Sequence, residues 1–407
     1  MVSCRRLHSE LCGCFQAHKP FSFHSLFAME PPSLASFDPV YCADSLEFCP
    51  YNAKQRFLIG TYQLLKTGNA SDQAATDDNQ ELTSADAQRV GRIYVCDFAE
   101  GDSGPGIVER QRIETSAIFD IKWSYNRVNG RELVGAACAD GKVHVYAADD
   151  SSEDSYLSLL GASDSESSMC CSLDWSNRLA ASSSPEIVAS QSDGTLRMLK
   201  LGDSCVETVR EWHAHDAEAW ISAFDYWSTS SVYSGGDDMR FKGWDSRMDG
   251  TSPVFNSRRH QAGVCSIQSN FHRQFMVATG SYDDTVMIWD TRNMRAPTAE
   301  FNVGGGVWRL KWHPEEPTQL LVGAMYGGFH VLDVAVDGLG PLERAPLPEA
   351  GYAVAVERQV SFMKHESIAY GADWCQASDD PEAGWLVGTC SFYDHLVHLW
   401  RRPTKSI

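Results

Sequence analysis

The chain has 407 residues and a formal net charge of -20, which disfavours a nucleic-acid backbone as partner and suits cationic or mixed surfaces. No apolar run reaches the length of a bilayer span, so the sequence reads as soluble. The thirteen cysteines are scattered, with no C-x-x-C pair, which argues against a disulfide framework or a zinc site and fits a reducing cytoplasm; no metal or other cofactor is expected.

In chain order, residues 1–36 read as a disordered extension. Arg5, Arg6, His8, His18, Lys19 and His24 accompany one acidic residue, Glu10, before Met29. An organelle address can look like this, but an extension upstream of a second start at Met29 is the simpler reading. Residues 37–407 then repeat at a period of about forty to sixty, the mark of stacked or radial units. Short apolar strands opening the units are expected at Ser45–Cys49, Ile118–Trp123, Cys171–Trp175, Ile221–Trp227, Val264–Gln268, Val307–Trp312 and Tyr370–Trp374.

The later strands of a unit are clearest in the middle of the chain, where Val232–Asp245 is matched one repeat on by Val277–Asp290. Cys138–Tyr146 and Gln191–Leu199 align with them through an Asp-Gly turn, the chemistry a tight antiparallel connection needs. Polar insertions near 67–90, 149–169 and 335–350 are expected to be mobile surface loops.

These units resemble the WD40 repeat, which implies an all-β fold, a seven-bladed propeller closed by an N-terminal strand. That strand is placed at about Phe37–Cys42, beside Leu396–Trp400. In the family a Trp, a Ser or Thr, a turn Asp and a loop His bond together within a blade. Trp244, Ser234, Asp238 and His215 match, as do Trp289, Thr279, Asp283 and His260. The sixth unit has Tyr326 at the turn-Asp position and is counted by spacing alone.

Motifs for common chemistries are missing: no G-x-S-x-G elbow, H-E-x-x-H or phosphate-binding glycine loop is present. Gly101–Pro105 reads G-D-S-G-P, like a trypsin-type nucleophile segment, but lies in a glycine-rich connection and is a coincidence. Five segments outside the generic repeat, Trp212–Trp227, Arg259–Gln268, Gly304–Pro314, Tyr370–Trp374 and Thr389–Trp400, resemble the diphthine methylesterase family of propellers.

The resemblance implies hydrolysis of the methyl ester of methylated diphthine on elongation factor 2, giving diphthine and methanol on the way to diphthamide. The substrate carries a trimethylammonium group, which aromatic faces attract and anionic walls help to hold. WD40 topology would set Trp220, Trp308 and Tyr370 near one rim of the channel, with Asp216, Glu218, Asp394 and His395 towards the same side. The plainer reading of each aromatic is packing against the next blade.

Ester hydrolysis needs a nucleophile or activated water, a base and oxyanion donors. The best local cluster is Cys390, Ser391, Asp394 and His395. His395 would be the base, Asp394 its orienter, and Cys390 or Ser391 the nucleophile, unless His395 activates water directly. Counted from Trp400, however, Asp394 falls on the structural turn Asp and Cys390 on the structural Ser/Thr, leaving His395 and Ser391 without a generic role. His213 is a second candidate base. The rival reading is an adaptor: Trp244–Arg247 and Trp289–Arg292 match the W-D-x-R ending of cullin-4 ubiquitin ligase receptors, with Arg247 or Arg292 meeting the ligase adaptor.

Overall fold

The computed structural model describes residues 28–403 apart from 52–54, 67–86, 102–103, 152–154, 165–166, 203–204, 250–251 and 377–382. The expected extension up to residue 27, most of the 67–90 insertion and the middle of the Gly101–Pro105 segment lie outside the described residues.

Among the described residues, twenty-eight strands form seven four-stranded antiparallel sheets, arranged as the blades of a propeller. Blade one uses Cys42–Phe48, Arg56–Lys66, Ala87–Gly101 and Gly104–Ser116, and blades two to six follow in chain order. The sixth unit is a complete blade, Arg309–Trp312 to Val354–Phe362, despite Tyr326 in its turn.

Burial explains the residue pattern. Each blade's innermost strand touches neighbours on both faces and is apolar or paired-polar throughout: Ile118–Trp123, Ala219–Phe224 and Ala369–Trp374 are buried at nearly every position. Outermost strands such as Val206–His213 alternate, because one face meets solvent. The 149–169 insertion holds one of these outer strands, Leu157–Ala162, and the 335–350 insertion is pinned by buried Leu347. Neither was foreseen, since Ser- and Asp-rich flanks mask a short half-buried strand.

Closure differs from expectation. The strand that completes blade seven is Ser33–Phe37, paired with Val397–Arg402 from Ser33↔Trp400 to Phe37↔Val397. Residues 38–41 make the crossing instead: Val40 N–H donates to Asp38 Oδ1 at 2.7 Å, and Val40 has φ +70°. Pro39, with no N–H to give, marks where the ladder must stop. The propeller therefore starts before residue 37.

Blades four and five carry the anticipated locks. His215 bonds Asp238 at 2.8 Å and Ser234 at 2.7 Å, and the Trp244 indole donates to Ser234. His260 bonds Asp283 at 3.0 Å and Thr279 at 2.8 Å, and Trp289 donates to Thr279. His260→Ala is expected to destabilise by about 1–3 kcal/mol, because a buried hydroxyl and carboxylate lose their partner. Urea unfolding checks this; an unchanged midpoint would refute the lock.

Candidate functional site

The innermost strands converge on a central channel, and one recurring backbone irregularity builds its mouth. In six blades the pairing of the first two strands slips near the start, skipping Asp44, Phe119, Cys171, Trp220 and Cys265 in blades one to five and Tyr370 with Gly371 in blade seven. A bulge of this kind leaves one residue outside the ladder and re-aims its side chain. In blade six Trp308 stands just before the first paired residue, Arg309. The counterpart of Trp220 in each unit, four residues before the end of the sequence-aligned inner strand, is thus one of these seven residues.

Six of the seven are aromatic or thiol. Trp220 and Trp308 lie with ring centroids 5.9 Å apart, Trp308 stacks on Tyr370 at 4.8 Å, and Tyr370 meets Phe392 at 5.1 Å. Phe392 continues to Tyr62, and Tyr62 to Phe119. Cys171, Trp220, Cys265 and Tyr370 are buried, each 5–8 % exposed, in two small apolar clusters that both pack against Tyr282 and Trp308. The three aromatics expected at one rim are in fact brought together. Outside them Tyr326, Met363 and Tyr393 are exposed around the turns of blades six and seven.

Charge closes the channel beneath the ring. Arg309 of blade six donates to Asp120 of blade two at 2.8 Å. Deeper, Lys311 bonds Glu47 and lies 3.8 Å from Asp373, and Lys122 donates to Leu173 O. At the far end the Arg178 guanidinium sits 3.6 Å from the Tyr125 ring centroid and 3.8 Å from that of Phe271. Burial pushes the Asp120 carboxyl up, but Lys122, Arg309 and Lys311 together hold it below the usual range. The aromatic layer at the mouth therefore lies over a layer of buried ion pairs.

The seventh ring member is Asp44, 2 % exposed. Burial drives its carboxyl well above the usual range; Arg309 counters this and Asp120 adds to it. Asp237 supplies a second acid, accepting from the Trp220 indole at 3.3 Å. The sequence reading missed both. Asp44 falls one residue before the strand start expected at Ser45, and Asp237 looks like an ordinary turn residue. Of the acids expected towards this side, Glu218 is buried two places before Trp220 and its carbonyl accepts the Asp237 N–H, while Asp216 gives its N–H to Asp238; the second candidate base, His213, is exposed at the end of an outermost strand opposite Thr195.

Blade seven corrects the catalytic cluster. The structural Ser/Thr is Thr389, not Cys390: His365 bonds it at 2.9 Å and the Trp400 indole donates to it at 3.3 Å. Ser391 then inserts between His365, at 2.5 Å, and Asp394, which accepts its hydroxyl. Asp394 also accepts the Glu366 and Leu396 N–H groups. It is engaged without His395, so the expected Asp394–His395 dyad does not form. Cys390 is fully buried and desolvation raises its thiol, while Ser391 is fully buried too. His395 occupies the turn at φ +56°, half-buried, its N–H directed at Phe392 O of the aromatic layer. Its ring makes no hydrogen bond among the described residues.

On the far side of blade five, Arg292 is absorbed by the fold, bonding Asp290 at 2.6 Å and Pro348 O. Arg247 is exposed but folds onto Asp245.

Fold and channel define a WD40-type seven-bladed propeller with a closed aromatic mouth. Residues 251–290 match the family described as WD domain, G-beta repeat. Over nearly its full length the chain is also similar in fold to a propeller in a crystal structure of the mitotic checkpoint complex. The TM-score is 0.60 with 17% identity, covering 96% of this chain and 98% of that one. Among curated relatives, diphthine methyltransferase of Mus musculus is 39% identical over 84% of this chain and 69% of its own length. The diphthine methyltransferase homolog of Dictyostelium discoideum is 30% identical over 88% of this chain and 96% of its own. The chain belongs to the diphthine methyltransferase family.

Proposed function

We propose that this protein acts in diphthamide biosynthesis by hydrolysing the methyl ester of methylated diphthine on elongation factor 2. The observation that carries the reading is the aromatic cup of Trp220, Trp308 and Tyr370 at the closed mouth of the channel. A dead-end aromatic cup suits a group that is compact, cationic and unable to donate hydrogen bonds, and the trimethylammonium of diphthine is all three. The exposed Tyr326, Met363 and Tyr393 give the surrounding protein substrate an apolar ledge.

With the ammonium seated, the ester projects from the cup towards its wall. Water attacks the ester carbonyl, His395 takes the proton, and the same proton leaves with methoxide as methanol. Half-buried and unpaired at the lip, the His395 imidazole is free to do this. Cys390 and Ser391 lie too deep to serve as nucleophiles.

The relatives' name favours a second reading, methyl transfer onto diphthine. Incubating the full chain with elongation factor 2 carrying methylated diphthine, then measuring the mass of the modified peptide, separates the two. Loss of one methylene unit supports hydrolysis, and His395→Ala is expected to slow it about a hundredfold or more. A gain of one methylene unit on unmethylated substrate, dependent on S-adenosylmethionine, supports transfer and sinks hydrolysis. Unimpaired hydrolysis by His395→Ala removes that residue as base.

A further inference from the structure

The seven bulged positions are equivalent by the repeat, yet they differ in chemistry. Six carry Phe119, Cys171, Trp220, Cys265, Trp308 and Tyr370, and blade one alone carries a carboxylate. Nothing in the blade fold demands it, because Phe and Cys fill the same position in the next two blades. Asp44 Oδ1 and the indole N–H of neighbouring Trp308 each lack a hydrogen bond of good geometry, although the indole lies close enough to favour the charged carboxylate. The adjacent cation, Arg309, is committed to Asp120. A buried carboxyl oxygen left unpaired costs free energy in the empty protein, and a native fold carries such a group where a ligand completes it.

The geometry points to Asp44 as the counter-ion of a quaternary-ammonium site, with Trp220, Trp308 and Tyr370 as its aromatic walls. A quaternary ammonium offers charge without an N–H, so it is held by ring faces and a nearby anion rather than by directed hydrogen bonds. A primary ammonium or guanidinium would look for several acceptors, and this mouth offers few. The inference rests on the reading of the cup as the substrate-binding end and identifies the residue that gives that end its selectivity.

Binding is then linked to ionisation. The groups facing Asp44 are Arg309 from blade six, Asp120 from blade two, Tyr370 and Cys390 from blade seven, and Cys42 on its own strand. Asp120 is held towards its charged form and Arg309 is shared with it, so burial makes Asp44 keep its proton more tightly than it would in water. An entering cation displaces that proton, and its affinity climbs as pH rises.

The test uses the full chain and tetramethylammonium chloride, followed through the indole N–H resonances of Trp220 and Trp308 with sodium chloride at matched ionic strength. tert-Butyl alcohol serves as a neutral probe of similar shape. The cation is expected to shift both resonances, to bind about tenfold tighter than the alcohol, and to bind tighter at higher pH. Asp44→Asn should remove the tenfold preference and the pH dependence while leaving the alcohol unaffected; Trp308→Leu should weaken both probes. Equal binding of cation and alcohol by the wild type overturns the proposal without recourse to any variant. So does an Asp44→Asn protein that keeps the preference. The probe has no ester, so selective binding without hydrolysis would sink the esterase and keep this site, and hydrolysis without selective binding would do the reverse.

Discussion

Asp120→Ala is expected to destabilise the propeller by about 3–5 kcal/mol, the cost of stranding a buried cation. Asp120 is 1 % exposed, accepts from Arg309 at 2.8 Å and lies 3.4 Å from Lys122. Its removal leaves two buried cations short of an anion and breaks the bridge between blades two and six. The loss comes from the uncompensated charge, not from any large worth of the pair, so the double replacement Asp120→Leu with Arg309→Met should recover most of it. Urea unfolding of wild type, single and double variants decides the matter. A single variant within about 1 kcal/mol of wild type would show that water reaches these ion pairs.

Asp44→Asn is expected to act in the opposite direction, stabilising the protein by an amount that grows with pH. The folded-state pKa of Asp44 lies above its unfolded value, pushed up by burial. The native state therefore binds the proton more tightly than the unfolded chain does. Stability from this group is fully present below about pH 4 and is lost as pH rises towards the folded pKa, at about 1.4 kcal/mol per pH unit. Asparagine has no proton to lose, so its advantage over wild type should be wider at about pH 6 than at about pH 5, both above the unfolded value. Paired unfolding curves at these two values measure it. A constant difference would mean that Asp44 ionises in the fold as it does in water. A gain in stability on removing a buried acid is the expected signature of a residue kept for binding.

Much of this was legible in the sequence, and the failures have physical causes. Alternation, Asp-Gly turns and the Trp-to-Thr spacing define the blades, because each is local in sequence. The aromatic members of the mouth stood out for the same reason. The register slip that aligns them into a ring does not show in the sequence, and it is what makes Asp44 equivalent to Trp220 and Tyr370. His365 was passed over for a different reason. In blades four and five the histidine precedes its Ser or Thr by 19 residues, but in blade seven by 24, the spacing stretched across the 377–382 segment. With that histidine unrecognised, Ser391 and Asp394 looked available for catalysis when they were already completing a structural lock. Asp394 and His395 are neighbours in sequence, yet the turn commits one to the blade and leaves the other at the surface.

The most direct test of the central claim is to run the reaction on methylated elongation factor 2 in heavy-oxygen water and locate the label. Attack of water on the ester carbonyl puts one heavy oxygen into the diphthine carboxylate and releases unlabelled methanol. Methyl loss with an unlabelled carboxylate would contradict that chemistry, and no methyl loss at all would contradict the proposed function itself.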